Sequence, residues 1–282
     1  MNQHYEYQYN RVKYPWQQKK EEWIALLLLI LISFSSNNTW ALSPEEKGRQ
    51  IAIEADQRDM GWRSGKNDGI MILKNRNGQI STRKIRSRLL EGEKDGDKFL
   101  IIFDHPPDIK GTAFLSYTHI NRQDEQWLYL PALKRIKRIA SNNQSGPFMG
   151  SEFAYEDIIS QEVDNYTYKY LRDEKLNGLD CFVVERYPVD PNSSYKRHVV
   201  WYDKEEYRMQ KNDLYDRYNN RLIKTLTFIG HRLYLNKYWR ADEYHMVNHI
   251  TGKETVFVWK NRGLHSGYTA RDFTKNSLKS VR

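Results

Sequence analysis

The chain has 282 residues, a formal net charge of +9, twenty tyrosines and one cysteine. A single cysteine excludes an internal disulfide, so the fold stands on its hydrophobic core alone. The basic balance and the tyrosines fit a nucleic-acid partner in general terms, and the first element of the chain argues against that class.

Residues 1–41 read as a targeting segment. Arg11, Lys13, Lys19 and Lys20 precede a twelve-residue apolar run from Trp23 to Phe34, followed by polar residues and Thr39-Trp40-Ala41. That order is a charged leader, a short apolar stretch and a small residue at a cleavage point. The run falls well short of the ~20 apolar residues that cross a bilayer. We therefore expect cleavage after Ala41 and a mature protein beginning near Leu42, exported to a compartment such as a bacterial periplasm, where no nucleic acid is on offer. No cysteine follows the apolar run to carry a lipid anchor. The segment holds four cations and three acids, so the mature chain keeps 9 − 1 = +8.

Ser43-Pro44-Glu45-Glu46 predicts a helix start: a capping hydroxyl, proline in the first turn and acids at the positive end of the dipole. Ile51, Ala52 and Ala55 then fall on one helical face. From Ile70 the hydrophobic pattern turns to period two, in thirteen runs that end at residue 260. Asn77-Gly78, Asp95-Gly96, Asn177-Gly178, Asn219-Asn220 and Thr251-Gly252 separate runs with tight-turn chemistry. Short turns between consecutive strands make an antiparallel meander, and one open sheet of ten or more strands has to curl. The expected fold is mainly β: a curved antiparallel sheet, an incomplete β-barrel, wrapped around the N-terminal helix and a short helical lid. No repeat or linker interrupts residues 42–282, which read as one domain. Cys181 sits in an apolar strand, Leu179 to Val184, where a cysteine serves as a small core hydrophobe.

The stretch from Gln126 to Ile158 is the most distinctive. Trp127-Leu128-Tyr129-Leu130 alternates faces as a strand, and Pro131 ends or edges it. Lys134, Arg135, Lys137 and Arg138 surround Ile136 and Ile139, and a turn-rich loop then carries an apolar tip, Phe148-Met149, between Gly146-Pro147 and Gly150. Ser151 is placed to cap a short helical turn holding Phe153, Tyr155 and the acids Glu152, Glu156 and Asp157. An apolar tip beside a basic strand calls for an apolar receiver.

These residues carry a resemblance. Trp127 to Arg135 and Gly146 to Phe153 are similar to the LolA-like outer-membrane lipoprotein-sorting proteins, in particular a longer bacterial subfamily. Ala55-Asp56, Arg58-Asp59, Gly61-Trp62, Lys110-Gly111-Thr112 and Tyr238-Trp239-Arg240-Ala241 extend the match from about Ser43 to the C-terminus. The resemblance implies an incomplete barrel with a helical lid over a hydrophobic cavity. It also implies a periplasmic carrier or accessory protein for lipid or lipoprotein acyl chains, with a membrane exporter or an outer-membrane acceptor as partner. The chain departs from the shorter carriers in its extra strands after Tyr195, and the functional arginine of those carriers finds no assignable position.

Leu128, Leu130, Phe148, Met149, Phe153 and Tyr155 are the expected cavity or gate residues. Arg83, Arg86 and Arg88 join Lys134, Arg135, Lys137 and Arg138 as a basic surface, either plainly solvated or facing anionic headgroups or an acidic partner. For catalysis the sequence offers no nucleophile elbow and no phosphate-cradling loop. His245 and His249, four apart on a strand, stand about 13 Å apart and cannot share a metal. No cofactor, metal or enzymatic role is expected. A second reading keeps the same fold as a non-catalytic envelope interaction module, partner to an exporter or a stress sensor, with its cavity filled by side chains.

Overall fold

In the computed structural model residues 42–280 are described; the targeting segment expected over 1–41 lies outside them. Helix α1 (Pro44–Asp59) leads into β1 (Ser64–Lys74), β2 (Ile80–Leu90), β3 (Lys98–His105), β4 (Ala113–Tyr117), β5 (Glu125–Leu130) and β6 (Arg135–Ile139). After a long connection come β7 (Tyr166–Leu176), β8 (Leu179–Pro188), β9 (Tyr195–Asp203), β10 (Met209–Asp216), β11 (Leu222–Tyr234), β12 (Tyr238–Asn248) and β13 (Glu254–Leu264). The short helix α2 (Ser277–Ser280) closes the described chain.

All thirteen strands form one antiparallel sheet in the order β6-β5-β4-β3-β2-β1-β13-β12-β11-β10-β9-β8-β7. Two meanders are thus joined where β1 meets β13, with Ile70 opposite Val258. The sheet does not close, and its two edges are β6 and β7. Because these edge strands are consecutive in the chain, residues 140–165 run from one edge to the other across the concave face.

Alternation sorts the side chains. Met71, Ile85, Phe103, Phe114, Leu128 and Phe257 build the concave core, and Phe148 and Phe153 of the cross-connection complete it. On the convex face Leu100, Ile102, Leu115 and Trp127 are covered by Phe273 and Leu278 of the C-terminal tail. Cys181 joins Val183, Val199 and Trp201 in a separate apolar cluster. Its thiol is fully buried and pushed up to about 11 by that burial, the environment of a packing group rather than a nucleophile.

Helix α1 begins as its residues predict. The Glu46 amide donates to Ser43 Oγ at 3.1 Å and the Ser43 amide to Glu46 Oε2 at 2.9 Å, a reciprocal cap. Its buried face, Gly48, Ile51 and Ala52, lies on Tyr168, Val184, Val200 and Tyr202 at the β7 end of the sheet. It therefore covers one end of the trough and leaves the rest to the cross-connection.

One expectation changes. Ser151 does not cap the short helical turn, which begins after Ala154; the lid consists of two 3-10 turns, Phe148–Gly150 and Tyr155–Asp157. Met149 at φ 49° and Gly150 at φ 75° sit in the left-handed region, which breaks any helix through them. Ser151 instead donates to the Phe153 carbonyl. The lid acids all accept hydrogen bonds, and Asp157 also caps its own turn at the Ala154 amide. Glu156 accepts from the Ser194 amide and hydroxyl, Asp157 from the Tyr195 hydroxyl and Glu152 from Asn248 Nδ2. They fasten the cross-connection to the far meander.

Candidate functional site

What the helix and the cross-connection leave uncovered is a hollow on the concave face. An outer chamber of about 730 Å³ lies between α1, the loop 91–97, residues 160–163 and β8 to β12. An inner chamber of about 310 Å³ is walled by Phe99, Phe153, Ile158, Ile159, Leu214, Leu226 and Phe228. Asp59, Trp62, Arg186, Phe228, Arg240 and Tyr244 line both.

Of the six expected cavity residues, only Phe153 lines a chamber, and its ring also meets Phe257 edge-on at 4.9 Å. Phe148 is fully buried, edge-on to Phe114 at 5.2 Å and to Tyr155 at 5.4 Å. Leu128 is in the same core, and Leu130, Met149 and Tyr155 are half-buried against it. The apolar tip therefore plugs the β3–β5 side of the trough. The empty volume lies on the other side, under α1.

The seven basic residues do not form one surface. Arg83 shares the concave face with Ile85, two residues on, and its Nη1 donates to the Met149 carbonyl, holding the plug. Arg86, on the opposite face, makes a bidentate pair with Asp104 at 2.7 and 2.9 Å, and the Arg88 guanidinium lies 5.3 Å from the centre of the Tyr268 ring. Lys134, Arg135, Lys137 and Arg138 are exposed on and beside edge strand β6, four strands from β2. Charges there discourage edge-to-edge pairing with another sheet. His245 pairs with Glu254 at 2.9 Å and His249 with Thr225 at 2.8 Å, so the two rings serve separate contacts.

The inner chamber holds polar groups that the sequence reading did not single out. Arg186 of β8 and His198 of β9 are paired in register and are 5% and 3% exposed. Arg186 Nη2 lies 3.2 Å and Asn212 Nδ2 3.3 Å from His198 Nδ1. Two N–H donors converging on Nδ1 make it the acceptor and leave the proton on Nε2. Burial, then the Arg186 charge, holds the imidazole well below its usual range and hence neutral. A weak signal for this pair exists: Arg186 and His198 share faces with Val184 and Val200. Both faces of these strands are apolar, however, so alternation alone marks neither residue as inward.

The outer chamber is lined by charges of both signs. Asp56, Asp97 and Glu162 are among its carboxyls, and burial raises all three. Glu162 is pushed up to about 7, by burial first and Asp97 next. Since the folded state holds this proton longer than the unfolded state, its contribution to stability falls as pH rises from about 4.5 to about 7. Glu162→Gln removes that loss while keeping an acceptor for Thr118 Oγ1. We expect thermal unfolding of Glu162→Gln to gain about 1 kcal/mol at pH 8, after allowing for solvent screening, and almost nothing at pH 4. An equal gain at both pH values would refute the assignment.

A family model described as an uncharacterized protein matches residues 95–280. A crystallised domain from Vibrio parahaemolyticus, assigned to outer membrane lipoprotein sorting, is 52% identical, with a TM-score of 0.82 over 83% of this chain and 99% of that one. A DUF1329 family protein from Desulfovibrio piger is 28% identical, with a TM-score of 0.79 over 84% of this chain and 100% of that one. A LolA superfamily protein from Nitrosomonas europaea shares the fold at 18% identity, with a TM-score of 0.66 over 84% of this chain and 100% of that one. No curated protein matches the chain at significance. With its open thirteen-stranded sheet, its N-terminal helix and these relatives, the chain belongs to the LolA-like family of outer-membrane lipoprotein-sorting proteins.

Proposed function

We infer that the protein is an exported, non-catalytic carrier or accessory factor that shelters an acyl chain of a lipid or lipoprotein in its concave hollow. The observation that carries this reading is the inner chamber. Its aliphatic and aromatic wall and its volume of about 310 Å³ suit an apolar guest, and small-molecule sites run from ~300 Å³ upward. The 52%-identical relative assigned to lipoprotein sorting supports the same reading. In this reading the exchange partners are a membrane exporter or an outer-membrane acceptor. The rival, an interaction module, can fill its concave side with side chains, and the plug does so only on the β3–β5 side.

Filling the chamber tests the proposal. Leu226 is 8% exposed and lines the inner chamber. Leu226→Trp should lower the affinity for a neutral fluorescent acyl probe at least tenfold, with the far-ultraviolet circular dichroism unchanged. Unaltered probe affinity in a folded Leu226→Trp protein would contradict the chamber as the binding site.

A further inference from the structure

The inner chamber mixes apolar and polar walls, and it carries hydrogen-bond donors with nothing to donate to. Arg186 Nε, His198 Nε2, Trp259 Nε1 and Arg262 Nε are buried without a partner, and all four residues line the chamber. With the His198 proton on Nε2, each of the four nitrogens bears a hydrogen. Unsatisfied buried donors are costly in the empty protein. One unpartnered acceptor, Asn212 Oδ1, shares the lining; the donors outnumber it four to one and favour a guest that accepts.

Arg186 adds charge. It is in no ion pair within 4.0 Å among the described residues. Its guanidinium instead lies 4.3 Å from the centre of the Tyr166 ring. The carboxyls that share the chamber are engaged elsewhere: Asp59 with Arg240, Asp97 with the Gly92 amide and Ser160 hydroxyl, Asp157 with the Ala154 amide and Tyr195 hydroxyl. Asp157 acts on Arg186 at longer range, without an ion pair. A buried cation with no counterion in contact is unfavourable, and an anionic guest would supply one.

We propose that the chamber selects an amphiphile with an anionic head, a carboxylate or a phosphate on an aliphatic chain, seated with its head at Arg186 and His198. The inference rests on the carrier reading above and refines it. A free acidic lipid satisfies these donors, whereas an acyl chain carrying a neutral head leaves them bare. Arg186 supplies the charge-assisted contact, and neutral His198 supplies a donor without charge. Phe153, Leu214 and Leu226 receive the chain.

Competition on the delipidated exported protein tests this. A neutral fluorescent acyl probe is displaced, below micellar concentrations, by oleate, by oleyl alcohol and by oleoyl lysophosphatidate. One or both anions should bind about tenfold or more tightly than the alcohol, and the better of the two identifies the head as carboxylate or phosphate. In Arg186→Met that preference should vanish while alcohol affinity stays within about threefold; Arg186→Lys should retain part of it. Equal displacement by all three on the unmodified protein overturns the head-group inference but leaves the carrier reading standing. Displacement by none of them overturns the carrier reading itself. The comparison on the unmodified protein decides the question even if Arg186→Met does not fold. An anion preference undiminished in a folded Arg186→Met protein would place the head elsewhere and overturn the assignment to Arg186.

Discussion

Truncating Phe148 to alanine is expected to cost about 3–5 kcal/mol of folding stability, the range for emptying a buried phenylalanine site. The ring is 0% exposed and touches Phe103, Phe114 and Tyr155, so its removal leaves a void that rigid aromatic neighbours cannot close. The backbone compounds this. Phe148 N–H donates to the Phe153 carbonyl at 2.7 Å, so the ring and the hairpin-like turn that presents it are held together. Met149→Ala, half-buried beside it, should cost much less. Urea unfolding of both variants gives the comparison. A loss under about 1 kcal/mol for Phe148→Ala would mean that the cross-connection is not part of the core.

Gly48→Ala is the second substitution with a large expected effect. A Cβ on Gly48 would stand 2.7 Å from the Tyr170 amide nitrogen and 2.9 Å from the Lys169 carbonyl carbon, both backbone atoms of β7. Neither can turn aside as a side chain would, so α1 has to lift from the sheet. Overpacking of this kind costs about 1–3 kcal/mol, against a gain in helix propensity of about 1 kcal/mol from replacing glycine. The net expectation is a lower thermal midpoint with a correctly folded sheet. A raised midpoint would show that α1 does not sit closely on β7.

The sheet was legible because its strands obey one simple rule. Period-two alternation punctuated by Asn-Gly and Asp-Gly turns gave thirteen runs, and the structure has thirteen strands. Bounds shifted where the rule was diluted. Strand β1 begins at Ser64, six residues before the apolar run at Ile70, because its first turns of chain are small or polar. Strand β7 begins at Tyr166 rather than residue 161, since Val163–Asn165 forms a 3-10 turn. The pairing of β1 with β13 and the cover that Phe273 and Leu278 give the convex face are long-range choices that no local pattern records.

The site was less legible, for a different reason. Phe148 and Met149 are conspicuous in sequence because they are apolar among turn residues, and that combination marks a plug as well as it marks a gate. Arg186, His198 and Trp259 are inconspicuous, since each is one residue in an ordinary strand. Arg186 and His198 meet only when β8 pairs with β9, and Trp259 of β13 lines the same chamber. Hydrogen-bond accounting finds such residues, and hydrophobic periodicity does not.

The concave hollow is proposed to hold an acyl chain, and native mass spectrometry of the protein purified without detergent tests this most directly. We expect a population heavier than the polypeptide by the mass of one lipid or fatty acid, lost in Leu226→Trp and regained when the delipidated unmodified protein is incubated with oleate. A single mass equal to the polypeptide, with no adduct regained on incubation, would contradict it.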